Sequence, residues 1–475
     1  MTKVFVSGNF NIIHPGHIRL LKYAKSLGNK LIVGVYCDKN SKSNTFVKQD
    51  LRLNNVKDLS FVDKAILVSN TLKTLNFIKP DIIVKGKEFR DKKNIEQKYI
   101  NSKPCKLIFS SGPANYFSTQ LFEKDTNINE FQIKVPKKFL LRHGLKKEKI
   151  FEFLKKIKNL KTLVIGDIIL DEYVSCDLLG SSNEEPCLVL NKIESKKFIG
   201  GSGIVACHAS NLGSNTRLIS VTGNDKSRIF LKNQLNKNKI KSFLINDLSR
   251  KTTVKQRFKI DNRSIIKISS LVQDPISKKI QNQIIKIIKK NINDTDLIIL
   301  ADFNYGCLPQ RLVNSIIKIA KSKKIFIAAD SQSSSQTGDI ARFKNVDLIT
   351  PTEKEARLSV KNHTDGLITV IASLKKISKA NNIILTLGSD GILLKSNKNK
   401  IHTDRIEALN KFPKDVAGSG DALLVLSSLI LLLSKNIWMS SFLGSVIAAI
   451  QCNNIGNKPI SIDELINLIE KMEIK

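Results

Sequence analysis

The sequence predicts an α/β protein of two domains, a smaller one opening at the N-terminus and a larger one beginning near residue 158. Three observations carry this. Residues 3–36 read as strand, helix, strand. A second, independent strand begins at Lys161, after the first block has closed. The chain has 475 residues, too many for one ordinary core, and its 41% apolar composition excludes a largely disordered protein.

Taken in order, Lys3–Ser7 is short and β-rich, Ile18–Leu27 has helical periodicity, and Lys30–Tyr36 is apolar and β-branched. That is the βαβ pattern of a parallel sheet. Ala65–Val68 and Asp81–Lys85 read as further strands, with a helix over Thr71–Phe77 between them. Polar, charged sequence around residues 135–150 marks the boundary. The expected division is a first domain over 1–135, a linker and leading helix over 136–157 with the helix at Lys147–Ile157, and a second domain over 158–475. In that second domain, strand-like runs at Lys161–Gly166, Asp296–Leu300, Lys324–Ala329, Asp347–Thr350 and Asn382–Leu387 alternate with helical stretches. Ala422–Leu433 is the most apolar segment but is too short to span a bilayer. Its position directly after a Gly-Ser-Gly-Asp turn predicts a buried helix.

The chain carries 78 Lys plus Arg against 42 Asp plus Glu, a formal charge of +36. The basic residues are mostly Lys, scattered among Ile and Asn, and aromatics are only 6%. Without an Arg-rich block or an aromatic platform, this is diffuse charge that attracts phosphorylated substrates, not a nucleic-acid surface. Seven cysteines with no Cys-x-x-Cys pair predict a reduced cytoplasmic protein without a zinc site. Neither a secretory signal nor a membrane span is expected.

Near the N-terminus, Gly8-Asn9-Phe10-Asn11-Ile12-Ile13-His14-Pro15-Gly16-His17 joins a strand to a helix. Two imidazoles then stand beside free N–H groups at the positive end of the helix dipole. Such a place suits transfer at a nucleoside triphosphate, where charge grows on phosphoryl oxygens and the protein supplies positioning and donors. An isolated His-x-x-His is more often a core or capping pair, and a metal pair would need a third ligand that the sequence does not show.

This run resembles the opening of the cytidylyltransferase-like nucleotidyltransferases. Lys85-Gly86-Lys87-Glu88-Phe89 looks like their second nucleotide-site segment, and Phe117-Ser118-Thr119-Gln120 like their late Ser/Thr signature. The resemblance covers residues 1–130 and implies a Rossmann-like domain with a parallel sheet. It implies that His14 and His17 contact the triphosphate, that Gly8, Phe10, Lys85 and Gly86 line the nucleotide site, and that Ser118 and Thr119 bind phosphate. Asn11 stands where the family has an aspartate.

Near the C-terminus, Asp415-Val416-Ala417-Gly418-Ser419-Gly420-Asp421 precedes the apolar helix. Glycines let successive amides converge on an anion at a helix start. Asp421 is then placed to take a proton from a hydroxyl attacking a γ-phosphate. A bare Gly-x-Gly-Asp also serves as a turn with an Asp cap.

That segment resembles the second signature of the ribokinase-like sugar kinases, and Gly200-Gly201-Ser202-Gly203 resembles their first. Gly166-Asp167-Ile168-Ile169-Leu170-Asp171, Ala301-Asp302-Phe303 with Gly306, Thr350-Pro351-Thr352-Glu353-Lys354-Glu355 and Thr386-Leu387-Gly388-Ser389-Asp390-Gly391 extend the likeness. Thr253–Arg257 with Asp261, and Gly456–Pro459, are most similar to the heptose-phosphate kinase half of the bifunctional ADP-heptose synthases. The resemblance spans 158–475 and implies a ribokinase-like α/β domain with a small β lid. It makes Asp421 the general base and Gly418, Ser419 and Gly420 the anion hole. It puts Asp171, Gly200, Gly201, Lys255, Arg257 and Asp302 at the substrate, Thr386, Gly388 and Gly391 near ATP, and Glu355 on Mg²⁺ through water.

Ile204 and Thr352 replace asparagines of the family pattern, and the familiar members place the kinase first. The implied function is two steps of nucleotide-heptose biosynthesis, with Mg²⁺ as cofactor and ATP as the substrate of both steps, CTP being the alternative donor for the transferase. Partners are a phosphosugar and nucleoside triphosphates, in a homodimer. Two other readings stay open: another phosphosugar or polyol with CTP, or a sugar kinase with a non-catalytic nucleotide-binding N-terminal domain.

Overall fold

A computed structural model describes residues 2–11, 13, 15–40, 47–86, 89, 94–109, 133–181, 185, 187–260, 263–332, 338–396 and 402–474. The chain divides into two compact units, Met1–Glu130 and Phe131–Lys475.

The first unit holds β1 (Lys3–Gly8), β2 (Lys30–Tyr36), β3 (Lys64–Val68), β4 (Ile82–Lys85) and β5 (Lys106–Phe109) in the order β3-β2-β1-β4-β5. All four pairings are parallel. Its strands are nearly continuous apolar runs because both faces are covered. Val4 and Val6 enter one cluster of buried residues, while Phe5 between them enters the other. Strand order reverses at β1, where β2 and β4 flank it on either side. A crevice at the carboxyl ends of such strands is the usual ligand position in an open α/β sheet. The register Val6↔Val84 brings the Gly8 and Lys85–Gly86 ends to the same edge.

The second unit contains β6 (Lys161–Gly166), β7 (Ile168–Ser181), β8 (Leu188–Gly201), β9 (Asn215–Thr222), β10 (Lys241–Asn246), β11 (Val254–Ile260), β12 (Arg263–Ser270), β13 (Leu297–Asp302), β14 (Phe326–Ser331), β15 (Leu348–Ile349), β16 (Asn382–Thr386), β17 (Ile392–Lys395) and β18 (Thr403–Ile406). Nine strands form one sheet, β10-β9-β6-β13-β14-β15-β16-β17-β18, antiparallel only at the β16–β17–β18 edge. Alternation along its strands feeds two cores. Val164, Ile299 and Ala328 join one, and Leu163, Ile298 and Ile327 join the other. Helices cover both faces. Gln310–Ser322 buries Leu312, Val313, Ile316, Ile317 and Ala320, one apolar stripe at helical spacing. Ser419–Ser434 is buried continuously from Asp421 to Leu431, as its composition predicts.

A separate four-stranded sheet, β12-β11-β7-β8, forms the lid. The long β7–β8 hairpin is antiparallel, and β11 adds to it in parallel through Val254↔Leu170. Among the described residues, no helix is long and apolar enough to cross a membrane.

One expectation changes. Residues 136–157, read as a linker and leading helix, are built into the second unit's core. Helices Lys137–Arg142 and Lys147–Lys156 bury Phe139, Leu140, Ile150 and Leu154, and Leu145 between them is buried too. The charged residues that suggested a linker are the solvent faces of these helices. His143 then stacks on Trp438, with ring centroids 4.2 Å apart, and bonds Asp404 Oδ2 at 2.7 Å. Trp438 is the chain's single tryptophan, so its fluorescence reports on this unit. In urea unfolding followed at Trp438, Leu154→Ala is expected to destabilise the unit by about 2–5 kcal/mol. Exposed Leu141→Ala should change stability by less than about 0.5 kcal/mol. Equal, small effects would return 136–157 to a linker.

Candidate active site

Strand β6 ends at Gly166, and the chain turns into the lid at Asp167. Asp167 is buried, and its carboxylate accepts the N–H groups of Phe303 (2.9 Å), Tyr305 (3.3 Å) and Cys307 (3.1 Å) from the loop after β13. Burial, then the neighbouring Asp302, pushes its carboxyl up to about 6. Of this hub, Phe303 reaches a cavity of about 430 Å³ lined by residues of the large sheet and the lid.

Nine of the residues expected from the sequence line the cavity: Asp171, Gly201, Lys255, Arg257, Glu355, Thr386, Gly418, Gly420 and Asp421. Gly418 is in the left-handed region, at φ 76°, and a side chain there would collide with Asn457 Oδ1. That turn starts helix Ser419–Ser434 with its N-terminal amides at the cavity wall. Asp421, in the first turn of that helix, is buried, and Gln332 Nε2 donates to its Oδ1 at 3.4 Å. Burial, followed by the charge of Asp171, pushes the Asp421 carboxyl up to about 7, with Lys255 pulling the other way.

The lid supplies two of the cavity's cations, Lys255 and Arg257. Register in β11 puts Lys255 beside Asp171 and Arg257 beside Tyr173. Arg257 Nη2 lies 3.6 Å from Asp171 Oδ1, and its guanidinium sits over the Tyr173 ring. Arg257 Nε has no hydrogen-bond partner among the described residues. Lys255 Nζ lies over the Phe303 and Tyr305 rings, 5.5 and 5.1 Å from their centroids. Asp171 accepts from Asn457 Nδ2 at 3.1 Å and approaches Gly200 so closely that a Cβ there would overlap it. Burial raises its carboxyl, against the pull of Arg257 and Lys255.

The large-sheet wall of the cavity carries Asp330, near the end of β14, and Glu355. Thr352 caps helix Glu353–Val360, and Glu355 Oε2 accepts the Thr352 N–H at 2.8 Å, a capping box that fixes the glutamate. Asp330 is buried with its Oδ1 unpartnered among the described residues, and burial and then Glu355 push its carboxyl well up. Lys354 also lines this wall.

Several expected residues are placed elsewhere. Asp302 is not among the lining residues: its carboxylate takes Arg342 Nη2 (2.7 Å) and Ser331 Oγ (2.8 Å). Ser419 is at the helix start but not on the lining, and its hydroxyl donates to Val416 O. Gly388 and Gly391 form the β16–β17 turn that follows Thr386, outside the lining. Gln332, Asp330 and Asn457 line the cavity without having been singled out. Only Asn457 had a sequence signal, as part of the Gly456–Pro459 segment. Asp261 lies outside the described residues.

In the first unit, His14, Ser118 and Thr119 lie outside the described residues. Phe10 is buried with φ 49°, and its ring packs 5.0 Å from that of His17. Its side chain thus belongs to the core that props the histidine, leaving backbone for a ligand. Lys85 Nζ is paired with buried Glu96 at 2.7 Å and lies over Phe89. Fully buried Arg52 was not anticipated. It donates to Asn9 O (2.6 Å) and Val47 O (2.8 Å) and pairs with Asp38 at 2.5 Å, pinning the loop after Gly8.

Known proteins bear on both units. Residues 159–462 match the pfkB family carbohydrate kinase model, and residues 5–247 match the cytidylyltransferase-like model. The second match runs beyond Glu130 into β6, β9 and β10, which belong to the nine-stranded sheet, so only its first part coincides with unit one. Bifunctional protein HldE of Campylobacter jejuni subsp. jejuni serotype O:6 is 30% identical, over 66% of this chain and 66% of the relative. Bifunctional protein HldE of Helicobacter hepaticus is 29% identical, over 66% and 64%. The chain thus spans just under two thirds of the length of the curated relatives it matches. Escherichia coli phosphofructokinase-2 (TM-score 0.54, 14% identity, 66% of this chain and 98% of that one) and Arabidopsis thaliana ribokinase (TM-score 0.51, 15% identity, 66% and 99%) share the fold. The chain belongs to the pfkB family of carbohydrate kinases, with a cytidylyltransferase-like domain ahead of its kinase domain.

Proposed function

We propose that the second unit phosphorylates C1 of a heptose 7-phosphate with ATP. The first unit then transfers an adenylyl group to heptose 1-phosphate with release of pyrophosphate, a phosphatase acting between the two steps. The observation that carries the kinase half is Asp421: a buried carboxyl near neutrality, in the first turn of a helix whose amides face the same cavity as Asp171, Lys255 and Arg257.

In this reading Asp171 and Asn457 hold sugar hydroxyls, and Arg257 with Lys255 takes the phosphate the sugar already carries. Asp421 accepts the proton of the C1 hydroxyl as its oxygen bonds to the γ-phosphorus and the bond to ADP breaks. The Gly418–Gly420 amides stabilise charge on the transferring group. Glu355 and Asp330 fit a divalent cation, since Asp330 Oδ1, without a partner among the described residues, and the Glu355 carboxylate are buried on one wall. When bound, Mg²⁺ would neutralise the ATP phosphates, retaining waters as that ion does. Thr386 lies beside the nucleotide. We place the enzyme in the cytoplasm.

For the transferase, His17 and the Lys85–Gly86 edge support the reading, and Asn11 with the Lys85–Glu96 pair favours a second one, a nucleotide-binding domain without chemistry. His17→Ala distinguishes them. It should lower pyrophosphate release from ATP and heptose 1-phosphate by roughly 10²-fold or more while leaving phosphorylation intact. Wild-type protein that releases no pyrophosphate with either ATP or CTP would leave the non-catalytic reading standing.

For the kinase, Asp421→Asn should lower kcat by about 10²–10⁴-fold. Because the base must be ionised and its carboxyl sits at about 7, wild-type kcat/KM should climb with pH up to about 7 and then level. A flat profile from pH 5 to 8 would remove Asp421 from the role.

The same carboxyl makes a stability prediction. Its pKa is raised from 3.8 to about 7 on folding, so the folded state binds the proton more tightly than the unfolded one. Stability is therefore lost as pH rises through this window. Asp421→Asn should melt above wild type at pH 8, and the gap should close as pH falls towards 4. A variant less stable than wild type at pH 8 would contradict the burial argument.

A further inference from the structure

We infer that Asp415 is a positioning residue that latches the lid onto the anion-binding loop, so that the loop keeps its shape only while the lid is seated. The inference rests on the kinase reading for its consequence in turnover, not for the contacts themselves.

The Asp415 carboxylate gathers groups from four segments. Its Oδ1 accepts the Ala417 N–H at 3.1 Å, within the loop that leads to Gly418. Its Oδ2 accepts the Tyr173 hydroxyl at 3.0 Å and the Gly456 N–H at 3.1 Å, with Lys259 Nζ at 3.9 Å. Tyr173 is on β7 and Lys259 on β11, so both main lid strands end on one carboxylate. Lys259 Nζ also lies 4.6 Å over the Tyr173 ring.

Gly456 extends the link. Its neighbour Asn457 donates to Asp171, and Gln451 Nε2 donates to both Ala417 O (3.2 Å) and Gly456 O (3.0 Å). A shift of the lid strands thus acts on the turn that aims the Gly418–Gly420 amides. The Asp415 and Lys259 side chains are only 13% and 12% exposed, so water replaces these contacts poorly.

Tyr173→Phe isolates the latch, since it deletes the hydroxyl and keeps the ring against Phe198, 5.0 Å away. In hydrogen exchange on the full chain, loss of about one net hydrogen bond should raise exchange of the 416–420 amides about fivefold, together with β11. Unchanged exchange at 416–420 would overturn the latch. In phosphorylation of heptose 7-phosphate by MgATP, Tyr173→Phe should lower kcat in the wild-type background and add nothing in an Asp415→Asn background. Effects that multiply would also overturn it. A wild-type protein that fails to phosphorylate heptose 7-phosphate sinks the substrate reading instead, and the exchange comparison still decides the latch.

Discussion

The second unit is organised around one electrostatic constraint: four largely buried carboxylates, Asp171, Asp330, Glu355 and Asp421, line one cavity. Burying like charges together raises their proton affinity or demands cations. The fold answers on two sides. From the lid, Arg257 and Lys255 approach Asp171 and Asp421, while the wall that carries Asp330 and Glu355 faces where ATP and its metal are proposed to sit. Burial and the Asp171 charge push the Asp421 carboxyl up to about 7, which suits a general base that exchanges a proton at working pH. Cations that come from a separate four-stranded sheet make the charge balance of the site depend on where that sheet sits.

The first unit meets its constraint differently. Fully buried Arg52 holds the loop after β1, and Lys85 pairs with Glu96. Strand order reverses at the β1/β4 edge, where the Phe10 ring packs against His17. Lys85 and Arg52 there are each paired with a carboxylate, whereas in the second unit's cavity Asp330 Oδ1 and Arg257 Nε have no hydrogen-bond partner among the described residues.

Much of this was legible in the sequence where the chemistry is local. The Gly418–Asp421 turn and the βαβ opening are written in consecutive residues, and the strands around residues 161, 297, 326 and 382 fall within a few positions of their predicted bounds. What was not legible arises from pairing between distant segments. Gln332 meets Asp421, and Asn457 meets Asp171, because β14 and the C-terminal loop end at the same edge of the fold. Asp302 looked like a substrate ligand in its motif, yet Arg342, 40 positions later, takes its carboxylate. The helix expected at Lys147–Ile157 is present, but the charged residues ahead of it looked like a linker, although Phe139, Leu140 and Leu145 there are buried. Arg52 gave no signal, since a charged residue in a polar stretch is ordinarily solvated.

We propose that this chain couples sugar phosphorylation to nucleotide transfer on one phosphorylated sugar. The most direct measurement is mass spectrometry of the products formed by the full chain from heptose 7-phosphate isomers, ATP and Mg²⁺, before and after a phosphatase specific for the 7-phosphate is added. Coupled activity should yield a heptose bisphosphate with equimolar ADP in the first sample and a nucleotide-linked heptose with pyrophosphate in the second. Recovery of unmodified heptose 7-phosphate from every isomer would contradict it.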